Sequence, residues 1–144
     1  MRHASDPSRI ASDYGFAHEV RARFAETDAM GIVHHSRYLP WLEEARVAYL
    51  REIGHPYDVT RADGVDYAVI EAHVAYVQPV RFDEVVKVHL ALVSGTRATF
   101  AIDYLLMVSG EVRATATTVH GCVDQRGRPV RLPPWLKDLL APLR

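Results

Sequence analysis

Long apolar runs are missing from this 144-residue chain. No stretch approaches the ~18 residues that a membrane-spanning helix needs. Cysteine is nearly missing as well. The single one, Cys122, excludes an intrachain disulfide framework and a cysteine-based zinc site, and it points to a reducing, cytoplasmic compartment. There is no surplus of either charge, with Lys+Arg at 17 and Asp+Glu at 18. A basic coat for nucleic acid is therefore excluded. The charges are unevenly spread: residues 1–80 hold 8 basic against 12 acidic side chains, and residues 81–144 hold 9 against 6. That mild C-terminal excess suits one small anionic ligand, not a duplex. Internal repeats and low-complexity segments are also lacking. The start, MRHASDPSRIAS, is basic but has no apolar stretch of the secretory kind. It reads as a mobile tail over 1–16, leaving 17–144 as one domain. What is abundant is histidine, at eight residues.

The pattern of elements is β-α-β-β-β-β. Residues 17–24 alternate as a half-buried strand, and 26–36 read as a loop punctuated by Gly31. A long helix is predicted over 36–53, with Ser36 as N-cap, Pro40 in its first turn, and Gly54 as the stop before Pro56. Tyr38, Trp41, Leu42, Ala45, Tyr49 and Ile53 make one apolar stripe on it. A polar loop follows. Strands are predicted over 67–77, 85–93, 98–108 and 111–124, with short turns at Ser94-Gly95-Thr96 and Ser109-Gly110 that suit antiparallel hairpins. In the first of these strands, Ala68, Ile70, Ala72, Val74 and Tyr76 are expected on one face. A short helix is expected over 134–140. One long helix with a wide apolar stripe is buried most simply by a sheet wrapped around it, an α+β architecture. The exposed edge that remains is usually covered by a second copy.

The chemistry concentrates in Glu26-Thr27-Asp28-Ala29-Met30-Gly31-Ile32-Val33-His34-His35, which runs straight into the helix. Free N–H groups and the positive dipole end at a helix start stabilise an oxyanion. A carboxylate there can act as base or nucleophile, and an imidazole can orient water. These are the parts for acyl transfer or hydrolysis. Plainer readings compete. Glu26 reads as a cap or a solvated acid. Asp28 divides between turn chemistry and catalysis. His34 and His35 divide between solvated loop residues and site residues. A metal site made from Asp28, His34 and His35 is disfavoured, because adjacent histidines point apart and no HExxH is present.

The stretch ETDAMGIVHHSRYLPWLEEAR resembles the signature of the 4-hydroxybenzoyl-CoA thioesterase-like acyl-CoA thioesterases of the hotdog superfamily. The matching residues are Thr27, Asp28, Gly31, Val33, His35, Tyr38, Trp41, Glu43 and Arg46. The resemblance continues in Tyr76-Val77-Gln78-Pro79 with Asp83, and in Val123-Asp124 to Pro133. It implies a hotdog fold, a curved five-stranded antiparallel sheet around one long central helix. It also implies a homodimer or homotetramer with active sites at the subunit interface. The implied reaction is hydrolysis of an acyl-CoA thioester, with acyl carrier protein as the alternative thiol carrier, and with no cofactor and no metal. By the same resemblance Asp28 is the base or nucleophile, His35 its companion, and the backbone N–H near His34 the carbonyl-polarising donor. The turn Ser94-Gly95-Thr96-Arg97 resembles the family's hairpin that approaches the CoA nucleotide, which implies Gly95, Thr96 and Arg97 as its contacts. Phe24 stands where many members carry Tyr, and His34 where many carry an aromatic residue.

Such a site needs no Ser-His-Asp triad. A thiol leaves readily because its pKa is near 8.5, so a carboxylate and an oxyanion donor suffice. Glu43 and Arg46 stand one turn apart and are expected to pair. Arg126, Arg128 and Arg131 read as solvated cations, and His73, His89 and His120 as packed strand histidines. Cys122 reads as a small core hydrophobe. The alternatives in other classes are a non-catalytic acyl-thioester binding protein and a hotdog enoyl-thioester hydratase or dehydratase.

Overall fold

The computed structural model describes residues 6–143. The first five residues of the expected tail lie outside the described residues. Nearby, residues 11–13 form a 3₁₀ turn, and the ring of Tyr14 sits 6.1 Å from that of His89. Five strands follow: β1 (Phe16–Arg21), β2 (Asp66–Tyr76), β3 (Val85–Gly95), β4 (Thr99–Val108) and β5 (Glu111–Val123). They form one antiparallel sheet in the order β1-β3-β4-β5-β2. Helix α1 (Tyr38–Glu52) packs against β1 and β3. Two short helices, α2 (Tyr57–Ala62) and α3 (Pro134–Leu140), complete the element order. The curved sheet around one long helix is the architecture that the resemblance implies.

The alternation in β4 puts Phe100, Ile102, Tyr104, Leu106 and Val108 into the core, all buried. From the helix they meet Tyr38, Trp41, Leu42 and Ala45, as the stripe requires. The helix exit also follows the sequence. Gly54 adopts φ 86°, its N–H bonds to the Arg51 carbonyl, and His55 N–H bonds to that of Leu50. This is the αL stop with paired end bonds that glycine permits.

Four expectations are corrected. The helix does not start on a Ser36 cap. A 3₁₀ turn over His35–Arg37 precedes α1, and the His34 ring caps that turn by accepting from Ser36 N–H. The polar loop after Pro56 contains α2, six residues too short to show a stripe. In β2 a bulge between Val69 and Glu71 leaves Ile70 out of the ladder. Tyr67 and Val69 therefore share a face with Ala72, Val74 and Tyr76, opposite Cys122, His120, Thr118, Ala116 and Ala114, while Ile70 turns away beside Gly121. Finally, His73 is exposed, whereas His89 and His120 are buried as read.

Arg46 departs as well. It does not pair with the exposed Glu43. Its side chain goes under the helix, 5% exposed, and its Nε donates to the Tyr57 hydroxyl at 3.0 Å. Burial alone would lower its pKa, but the adjacent hydroxyls of Tyr104 and Tyr57 outweigh that and raise it. The same buried string holds Tyr104, Thr118 and His120, linked at 2.7 and 2.8 Å. Desolvation, helped by the Arg46 charge, pushes the His120 pKa down to about 3. Desolvation also pushes the Cys122 thiol up to about 12, as befits an inert core residue.

Candidate active site

The loop between β1 and α1 is built from bonds that leave one acid engaged and the other half free. The Glu26 side chain is 5% exposed. Its Oε1 accepts from Arg23 N–H at 2.8 Å and its Oε2 from Trp41 Nε1 at 3.0 Å. Its carbonyl accepts from His34 N–H at 2.9 Å. Glu26 thus caps the 3₁₀ turn over Phe24–Glu26 and not the long helix, and it is not solvated. It fastens the loop to the helix. Two residues on, Asp28 closes a tight turn. Its Oδ1 accepts from Met30 N–H at 2.8 Å, and its carbonyl accepts from Gly31 N–H, with Gly31 at φ 79°. One carboxylate oxygen is held by the backbone, which orients the other. The loop is pinned at its far side by Val33 N–H, which donates to the Val80 carbonyl at 2.8 Å.

A cavity of about 290 Å³ opens beside this turn, lined by Asp28, Val33, His35, Tyr38, Tyr76 and Gln78 among others. It brings Asp28 and His35 together. His34 stands differently. Its ring turns to the Ser36 N–H and hydroxyl, and lies 4.1 Å from the His35 ring. Its backbone N–H belongs to the Glu26 carbonyl. The N–H at this helix start without a partner among the described residues is that of His35. The cavity wall is aromatic. Tyr38 and Tyr76 meet edge to face at 4.9 Å, and the Tyr76 hydroxyl donates to the His35 carbonyl at 2.9 Å. Burial raises the pKa of both hydroxyls, for Tyr38 partly offset by a hydrogen bond with the Val80 backbone. Tyr76 and Gln78 were not singled out as site residues by sequence reasoning. Their only signal is the Tyr76-Val77-Gln78-Pro79 motif.

The other predicted group lies elsewhere. Gly95, Thr96 and Arg97 line a larger cavity of about 590 Å³ with Arg131, Leu132 and Lys137. The Thr96 N–H and hydroxyl bond within the turn to Thr99. A Cβ at Gly95 would stand 2.6 Å from the Leu140 side chain, so this glycine makes room for α3. Arg97, Arg131 and Lys137 supply three cations around the cavity, against one carboxylate, Asp138. The cavity sits at the hairpin end of the sheet, near Asp66 and Gly121, while Asp28 sits near Tyr76. The eleven residues of β2 separate the two, roughly 30 Å at ~3.3 Å per residue.

Among the described residues, no three or more His, Cys, Asp or Glu side chains cluster as metal ligands, and no helix is long and apolar enough to cross a membrane. Comparison with known proteins adds the following. Residues 22–140 match the thioesterase-like superfamily. The acyl-CoA thioesterase YbgC of Haemophilus influenzae is 29% identical, over 87% of this chain and 93% of that one. The structure of a hypothetical protein from Aquifex aeolicus superposes with a TM-score of 0.82 at 38% identity, covering 87% of this chain and 98% of the other. A DHNA-CoA thioesterase from Staphylococcus aureus superposes with a TM-score of 0.79 at 30% identity, covering 85% and 83%.

Proposed function

This chain belongs to the thioesterase-like superfamily, and from that premise we propose that it hydrolyses acyl-CoA thioesters to free acid and CoA. The observation that carries the reading is the shared cavity. The Asp28 carboxylate, with Oδ1 held by Met30 N–H, lines the same space as His35, whose backbone N–H is unengaged at a helix start. In this mechanism the thioester carbonyl oxygen accepts from His35 N–H, where the helix start favours developing negative charge. Asp28 then attacks the carbonyl carbon, or takes a proton from the water that does. The thiolate departs without a strong acid because its pKa is near 8.5. The His35 ring orients the water.

One protomer does not hold carrier and chemistry together, since Arg97 and Asp28 stand at opposite ends of β2. The proposal therefore includes a two-fold dimer through β2, an edge strand with Val69, Ile70 and Tyr76 exposed. Antiparallel edge pairing would set the Tyr76 end of one copy beside the hairpin end of the other. Arg97, Arg131 and Lys137 of a second copy would then meet the phosphates of CoA, with Thr96 and Gly95 shaping the turn.

The test is Asp28→Asn, assayed on acyl-CoAs of varied length and aromaticity with released thiol as readout. General-base removal should cost about 10²–10⁴ in kcat. Near-wild-type hydrolysis by a folded Asp28→Asn protein would sink the proposal. So would wild-type protein that binds the whole panel and turns over none of it.

A further inference from the structure

We infer that Tyr76 is a positioning residue for this reaction: its hydroxyl, bonded to the His35 carbonyl, fixes the helix start so that the His35 N–H faces the thioester. The inference rests on the function proposed above and deepens it.

Three observations converge on this residue. First, the bond is long-range. Tyr76 stands at the end of β2, forty-one positions from His35, yet its hydroxyl lies 2.9 Å from the His35 carbonyl oxygen. A carbonyl at a helix start has a second lone pair free for such a donor. Second, the tyrosine ring is oriented. It meets Tyr38 edge to face at 4.9 Å, and Tyr38 is itself buried. It also meets the His35 ring at 6.5 Å and 86°. Third, the strand end that carries Tyr76 is fastened from behind. Val77 and Gln78 N–H both donate to the Arg113 carbonyl, at 2.9 and 3.1 Å. The Arg113 guanidinium in turn donates to the Pro79 carbonyl and, at 2.8 and 3.0 Å, to both oxygens of Glu84. A rigid support thus reaches across the cavity mouth to the first turn.

The first turn needs that support. It is a 3₁₀ turn, with poorer hydrogen-bond geometry than the α-helix behind it. Glu26 holds it at His34, on the loop side, and Tyr76 holds it at His35, on the cavity side. The donor between them, His35 N–H, is the one the reaction uses. Because the hydroxyl hydrogen is committed to the His35 carbonyl, Tyr76 acts through the helix start and not by donating a proton to the leaving thiol.

The test is Tyr76→Phe, which keeps both ring contacts and deletes only the hydroxyl. The expected result is a fall of about tenfold in kcat, a fraction of the ~10²–10³ that a whole oxyanion donor supplies. KM, the unfolding midpoint and affinity for a non-hydrolysable thioether analogue of the substrate should stay within about twofold. The pH profile of kcat should keep its shape. Unchanged kcat in Tyr76→Phe would overturn the inference. So would a parallel loss of kcat and analogue affinity, which marks a general structural role. Disappearance of an alkaline limb from the profile would overturn it too, by making Tyr76 a proton donor. Asp28→Asn assayed alongside separates the two levels. If that variant remains active, the function proposed above fails. If it is inactive while Tyr76→Phe matches wild type, only the role of Tyr76 fails. Should Tyr76→Phe not fold, the amide shift of ¹⁵N-labelled His35 in Tyr76→Trp against wild type reads the same contact: no movement there also overturns it.

Discussion

The two ends of the sheet are built on different principles. At the Tyr76 end, one carboxylate with a free oxygen sits among aromatic rings, and hydrogen bonds hold Glu26, the Tyr76 hydroxyl and the other Asp28 oxygen. At the hairpin end, three cations and the Asp138 carboxylate line a cavity of twice the volume, and the turn satisfies itself internally. In the function proposed above, the first arrangement suits bond-making, which needs a few groups held in fixed geometry. In the same proposal the second suits attraction of an anionic carrier, which needs charge more than fixed geometry. A single protomer keeps the two apart.

Several experiments would break or sharpen that contrast. The largest effect belongs to the Tyr76 end: Asp28→Asn should remove about 10²–10⁴ in kcat and leave KM for acyl-CoA nearly unchanged. Next comes the strand between the ends. A charge in the middle of the exposed edge, as in Val69→Asp, should yield monomers by size-exclusion chromatography, with activity falling in proportion to the monomer fraction. Full activity in a monomer would show that each protomer works alone. At the hairpin end, Arg97→Ala should raise KM for acyl-CoA about tenfold, the size of one charge-assisted hydrogen bond. It should leave acyl-pantetheine, which lacks the nucleotide, unaffected. An equal effect on both substrates would detach Arg97 from nucleotide recognition.

The last effect, absent at neutral pH, comes from His120. Its folded pKa is pushed down to about 3, against ~6.5 in an unfolded chain. Between those values the unfolded state binds the extra proton. Stability therefore falls as pH drops through that window, by up to about 1.4 kcal/mol per pH unit from this group. Denaturant titrations from pH 7 to 4 should show a shallower slope in His120→Gln than in wild type.

Strand β4 was legible because Phe100 to Val108 alternate without interruption, so period alone assigns its core face. In β2 it misleads, since a bulge at Ile70 reverses the phase and no residue there announces it. Helix α1 was legible from its stripe and from Gly54. Its cap, not its start, was misassigned, because the capping group is an imidazole, outside the usual N-cap set, acting on a 3₁₀ turn. In the candidate site, the nearness of Asp28 and His35 to one cavity was legible from their place before the helix. Tyr76 was not, since its contact spans forty-one residues. Arg46 was misassigned for a related reason: spacing offers Glu43 as a partner, while the fold offers buried hydroxyls.

Glu26 carries a consequence of its own. The Arg23 N–H and the indole of Trp41 donate to its side chain, and the Arg23 guanidinium stands 3.4 Å from Oε1. Glutamine has the same shape but only one accepting atom, so its NH₂ would confront one of those donors hydrogen to hydrogen. The residue type is set there by donor–acceptor parity. Glu26 and Asp28 are two acids a single residue apart, one selected by counting lone pairs and the other left with a lone pair to spend.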